Sequence, residues 1–258
     1  MIMPFPDKPG LYDLQGFAKT LPVGGEYKKL RGAISRLATA GSAHADLALA
    51  ATHFAAGVAL ETARSQTDKH NALTHSISAN FNFALILYAR ATQTSSNHRA
   101  ALNLHHRFDE DEKHDHRMLF ALRNDAVAHF GPGPESVKGW SKDGALLRVS
   151  SDGSLSVATP YVRKGHMLVV NNALEKLIPR ATDIVACISK ENQDIFISEY
   201  CRLLPDIPRM KRDLQASVWD ENSIGVEGLF ARFEQRIMDD DGAGAKPMVH
   251  FTKRRELP

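Results

Sequence analysis

Cysteine is almost absent. The two present, Cys187 and Cys201, stand 14 residues apart. That spacing makes neither a disulfide framework nor a zinc site, and it points to a reducing compartment. An excess of one charge is missing too: 32 Lys and Arg face 30 Asp and Glu, a net charge of +2. So near-neutral a balance supplies no global attraction to nucleic acid or anionic lipid, and any such binding must come from a local patch. The most apolar stretch, Leu47 to Leu60, is Ala-rich, broken by His53, and shorter than the roughly 20 residues a spanning helix needs. The first residues lack a basic region followed by an apolar one, so no export signal is expected. These absences predict a soluble cytoplasmic protein without membrane contact. No internal repeat is visible. With 43% hydrophobic and 24% charged residues, the 258-residue chain is not collagen-like, mucin-like or wholly disordered, and it is long enough to bury a core.

Residues 1–27 are rich in Pro and Gly and read as an extended arm. Helical spacing begins at Lys28, with Leu30, Ile34 and Leu37 on one face. Gly41-Ser42 reads as a stop and a new cap, so a second helix is expected over Ser42–Ala63. A third, about Ala72–Thr92, carries a stripe of Ile77, Phe81, Leu85 and Tyr88. A short helix is expected near 98–107. Asp109, with Glu112 three residues later, forms a capping-box pattern that opens a helix running to Phe130. Gly131-Pro132-Gly133-Pro134 ends it. Alternating apolar residues on either side of Asp152-Gly153 predict a β-hairpin, with no further strand to extend it. Helix returns over His166–Leu204, with a kink or break at Pro179, and two shorter helices are expected near 209–217 and 222–238.

The expected architecture is all-α: an antiparallel helical bundle with one inserted β-hairpin and extra C-terminal helices. Residues 28–135 form its core and 136–164 the insertion. Residues 165–240 are C-terminal helices completing the same domain, and 241–258 are a loose tail.

The helix opened by Asp109 ends in Leu122-Arg123-Asn124-Asp125-Ala126-Val127-Ala128-His129-Phe130. On a regular helix Arg123 and His129 lie about 120° apart and about 9 Å along the axis. A long Arg side chain can bridge much of that gap. Such a pair suits metal-free RNA cleavage. The ribose 2′-OH must lose a proton as it attacks phosphorus, the 5′-oxygen must gain one as it leaves, and a His can do either. Arg stabilises the charge that builds on the phosphate oxygens. Asn124 is suited to hold a phosphate oxygen, the 2′-OH or the imidazole. One His does not readily serve as both acid and base, and a two-fold dimer would bring a second copy to the same cleft.

The run Arg123-Asn124-Asp125-Ala126-Val127-Ala128-His129 resembles the signature of the HEPN superfamily: Arg, a polar residue, then His after four to six intervening positions, late in a bundle helix. The resemblance covers 28–135. It implies a helical bundle that dimerises across this helix, with Arg123 and His129 catalytic and Asn124 the polar position. It also implies a metal-independent endoribonuclease, of the kind found as toxins and phage-defence effectors. RNA is then the expected substrate, a second copy of the chain a partner, and an antitoxin or other regulatory protein a further one. Some members of the family are non-catalytic interaction modules, so binding of a partner protein or nucleotide is the alternative reading.

Other residues are weighed beside these. His116 and Arg117, one or two turns before Arg123, and Arg99 are expected to bind substrate, and Arg90 is a further candidate for a phosphate. His105, His106, His114 and His116 with the acids at 109–112 form a stretch rich in metal-ligand types. Two His at i and i+2 point about 200° apart, and no spacing matches a zinc pattern. Solvated helix surface is therefore expected there, with no metal and no cofactor. Phe81, Phe83 and Tyr88 are expected in the core rather than as a stacking platform.

Overall fold

A computed structural model describes residues 12–65, 70–93, 101–124, 141–143, 146–149, 155–158, 161–163, 167–203 and 207–218. These residues are predominantly helical. The helices are α1 (Leu14–Thr20), α2 (Lys28–Ser65), α3 (His70–Thr92), α4 (Glu110–Leu122), α5 (Leu168–Arg202) and α6 (Ile207–Ala216). Short 3₁₀ turns occupy Gly25–Tyr27 and Leu104–Arg107. The chain divides into two compact units, one of residues 1–45 with 185–258 and one of residues 46–184.

In the first unit, α1 replaces part of the expected extended arm. Leu14, Phe17, Ala18 and Leu21 recur at helical spacing, and Asp13 caps the helix by accepting from the Gln15 amide at 2.9 Å. Phe17 and Leu21 are buried with Tyr27, Leu30, Tyr200 and Leu214. Prolines and glycines at either side obscured this short amphipathic segment. The Arg31 guanidinium donates from one nitrogen to the carbonyls of both Ala18 and Leu21, each at 2.6 Å, so the open end of α1 is satisfied by α2. Arg36 donates to Asn192 Oδ1 at 2.6 Å, joining α2 to α5.

The expected break at Gly41-Ser42 does not occur; α2 runs unbroken. A single glycine costs a helix about 1 kcal/mol relative to Ala. The helix formers around it and the burial of Ala40, Ala43 and Leu47 outweigh that. By length and composition alone, Gly25–Arg64 is long and apolar enough to cross a membrane, contrary to the estimate made from Leu47–Leu60. Pro179 likewise does not break α5. Leu174, Leu177, Ile178 and Ala181 around it are buried and hold the helix across the missing amide.

In the second unit, α3 buries Ile77, Phe81, Leu85 and Tyr88, the stripe expected of it, whereas Phe83 is 55% exposed rather than in the core. Phe83 lies between the buried positions and rests beside the His53 ring, with centroids 5.2 Å apart. At Gly57 of α2, an added Cβ would stand 3.1 Å from the Phe81 ring, so a hydrogen here permits close helix approach. Arg90 makes a two-pronged ion pair with buried Asp46 within the unit. Of the short helix expected near 98–107, residues 98–100 lie outside the described residues, 101–103 are not helical and Leu104–Arg107 form the 3₁₀ turn.

Four short strands follow: β1 (Ser141–Asp143), β2 (Leu146–Val149), β3 (Leu155–Ala158) and β4 (Tyr161–Arg163). β2 pairs antiparallel with β3, Val149 opposite Leu155, and β1 pairs antiparallel with β4, Ser141 opposite Arg163. The outer pair is the further strand pairing that the alternation around Asp152-Gly153 did not suggest. The expected terminator 131–134, the helix near 222–238 and the tail 241–258 lie outside the described residues.

Candidate functional site

α4 begins where its sequence says. Asp109 Oδ1 accepts from the Glu112 amide at 2.7 Å, and Glu112 Oε2 accepts from the Asp109 amide at 3.0 Å. Glu112, though acidic and near the helix start, is buried, and Arg180 of α5 lies 3.2 Å from its Oε1. Arg180 also donates to the Arg107 carbonyl at 3.4 Å, and Lys176 stands 3.6 Å from Asp115. The start of α4 and the turn before it are thus tied to α5.

That turn aims two imidazoles. Asn103 takes a left-handed conformation, φ 51°, which Asn tolerates better than most residues. The chain then closes into the 3₁₀ turn, anchored at its ends by buried Leu104 and Phe108. His105 and His106 project from it, their ring centroids 5.8 Å apart. Opposite them, His116, Arg117, Phe120 and Ala121 share one face of α4, and Asn124 follows just past its end, four residues after Phe120. Together with Gln93 and Asn103, these side chains line a cavity of about 600 Å³.

His116 was expected on solvated surface; it is 1% exposed. Its neighbour two residues earlier, His114, is exposed, as the 200° divergence of i and i+2 requires. His116 Nδ1 lies 2.9 Å from the Tyr88 hydroxyl, and Phe108 packs on its ring at 5.1 Å. Burial, with a smaller contribution from the charge of His105, pushes the imidazole down from 6.5 to about 4, so it is neutral at pH 7. Burial, then Glu112 and Asp115, raises the Tyr88 phenol well above its usual value, so it keeps its proton. The phenol's only hydrogen-bond partner among the described residues is Nδ1. It therefore donates there, which leaves the ring proton on Nε2. Nε2 is itself buried with no partner among the described residues.

At the other end of the cavity, Arg123 donates to Asn124 Oδ1 at 2.9 Å. Among the described residues this bond is the pair's one side-chain hydrogen bond, so the Asn124 amide nitrogen and the other guanidinium donors have no partner there. The backbone at Arg123 and Asn124 opens into a wider π-type turn.

The structure thus brings His116, Arg117 and Asn124 to one cavity, with Arg123 bound to the last of them. Arg99 and His129 lie outside the described residues. His105, His106, Asn103 and Phe120 were not anticipated as site residues. The spacing of 116, 120 and 124 is visible in the sequence, but nothing there signals that the 3₁₀ turn folds over that face. Among the described residues, no three His, Cys, Asp or Glu side chains are grouped so as to hold a metal ion. The chain matches no protein-family model, no curated protein and no solved structure.

Proposed function

We propose that the protein is a metal-independent endoribonuclease of the HEPN type, its helices forming an antiparallel bundle with an inserted hairpin and extra C-terminal helices. The observation that carries this reading is the Arg123–Asn124 hydrogen bond at the edge of a cavity lined by imidazoles and a second guanidinium, that of Arg117. The remaining guanidinium donors of Arg123 hold a non-bridging phosphate oxygen, and Asn124 sets their direction. The 2′-oxygen attacks phosphorus as its proton passes to a base. The bond from phosphorus to the 5′-oxygen breaks as that oxygen takes a proton. A 2′,3′-cyclic phosphate and a 5′-OH remain.

His129 supplies the proton transfer, and a homodimer brings a second copy of the group to the cleft. His116 does not take that role: its one ring lone pair, on Nδ1, is taken up by the Tyr88 hydroxyl, and burial opposes the charged imidazolium. The protein acts in the cytoplasm under the control of an antitoxin or other regulatory protein. Expression of the free protein then slows growth of its host, and the His129→Ala variant relieves this. Cleavage of RNA in excess EDTA, absent in Arg123→Ala and His129→Ala, tests the reaction itself.

One observation favours a non-catalytic module that binds a nucleotide or partner protein. The most buried imidazole of the cavity has its Nδ1 engaged by the Tyr88 hydroxyl at 2.9 Å, which fixes the ring as a hydrogen-bond donor and suits recognition better than proton transfer. Equal and harmless expression of the wild type and His129→Ala supports that reading.

A further inference from the structure

A buried ring nitrogen that carries a proton and has no acceptor is costly, about 1–3 kcal/mol, and such a group is a sign of a missing partner. Among the described residues His116 Nε2 has no acceptor, and its ring belongs to the lining of the cavity. We infer that this cavity is a base-recognition subsite: it takes the unpaired nucleobase next to the reacting phosphate, and His116 Nε2 donates to an acceptor on that base. The inference deepens the proposed ribonuclease reading and rests on it for the identity of the ligand as RNA.

Three features point to a base rather than to phosphate alone. First, the lining is rich in groups that read uncharged edges. Asn103 offers a donor and an acceptor on one planar amide, the complement of a base edge, and Asn124 adds the donors of its amide nitrogen. Second, Phe120 lies one turn after His116 in the same wall, with ring centroids 6.4 Å apart, and offers an aromatic face to a planar ligand. Third, the Tyr88 hydroxyl fixes the His116 ring from behind, at 2.9 Å. A ring locked in one tautomer presents one donor and rejects a ligand that lacks the matching acceptor. Arg117, exposed beside His116, meets the phosphate on the outside of such a base. A cavity of about 600 Å³ is in the range that holds a nucleoside monophosphate. Since a base inside a duplex does not reach such a wall, the substrate is single-stranded at this position.

The test uses the full-length His129→Ala protein, so that no probe is turned over. Calorimetric titration with AMP, GMP, CMP and UMP is compared with ribose 5-phosphate and inorganic phosphate. At least one nucleotide should bind about tenfold tighter than ribose 5-phosphate. His116→Phe should abolish that preference, and Tyr88→Phe, which keeps the ring but releases its tautomer, should narrow it severalfold. If His116→Phe does not fold, Tyr88→Phe and Phe120→Ala carry the test. The subsite is overturned if ribose 5-phosphate binds as well as every nucleotide, if no nucleotide binds, or if the folded variants leave the preference intact. Nucleotide preference without RNA cleavage by the wild type keeps the subsite and removes the nuclease. Cleavage without any base preference does the reverse.

Discussion

The Tyr88 hydroxyl lies 2.9 Å from Nδ1 of His116, and the two side chains are 0% and 1% exposed. Twenty-eight residues separate them in the chain, and the contact joins α3 to α4 beneath the candidate site.

This pair sets a pH dependence of stability. The His116 imidazole titrates near 4 when folded, against an ordinary value of 6.5. Between those values the unfolded chain binds more protons, so stability rises with pH; it is full above 6.5 and is lost as pH falls toward 4. The shift corresponds to an effect on the order of 3 kcal/mol. Urea unfolding of wild type and His116→Gln at pH 7.5 and 5 measures it. The wild type should lose more stability than the variant on acidification. Equal losses would show that His116 is not buried neutral.

The capping box at Asp109 holds the first turn of α4. Asp109→Ala removes the acceptor for the Glu112 amide and should cost about 1 kcal/mol. Thermal melting reads this directly, and an unchanged midpoint would contradict the reciprocal cap.

Two glycines of α2 should respond with opposite signs. Gly41 has nothing within 4 Å of an added Cβ, so Gly41→Ala should stabilise by about 0.5–1 kcal/mol. At Gly57 the added methyl meets the Phe81 ring at 3.1 Å, and Gly57→Ala should destabilise by about 1 kcal/mol. Chemical denaturation of both variants checks the approach of α3 to α2; stabilisation by both would mean the Phe81 ring is free to retreat.

Asn124→Ala leaves the Arg123 guanidinium charged but removes the oxygen that directs it. On the nuclease reading this should lower RNA cleavage about tenfold or more while leaving the melting temperature within about 2 °C of wild type. Arg123→Lys should also cut the rate, because a point charge does not replace a fork of donors. Single-turnover rates compare the two, and undiminished cleavage by Asn124→Ala would remove Asn124 from the site.

How far the sequence could be read depended on whether a residue's surroundings were local. Asp109 and Glu112 are three apart, and their reciprocal cap follows from spacing alone. The buried stripe of α3 was legible for the same reason. The continuity of α2 through Gly41 was not, because a local weakness is overridden by packing of residues on both sides. Phe83 was misplaced since an aromatic side chain signals burial only on average; its angle on α3 turns it away from Phe81 and Tyr88. The cavity was half legible. His116, Arg117 and Asn124 follow from one helical face, but the approach of His105 and His106 depends on the left-handed turn at Asn103. Burial of His116 depends on Tyr88, a tertiary contact that leaves no mark in either segment.

Product-resolved cleavage of a single-stranded RNA in excess EDTA decides whether Arg123 and His129 form a metal-independent ribonuclease site. Wild-type protein should yield fragments ending in 2′,3′-cyclic phosphate and beginning with 5′-OH, and Arg123→Ala and His129→Ala should each reduce the yield by at least about a hundredfold. Absence of cleavage by the purified wild type, its abolition by EDTA, or undiminished activity in both variants would contradict the assignment.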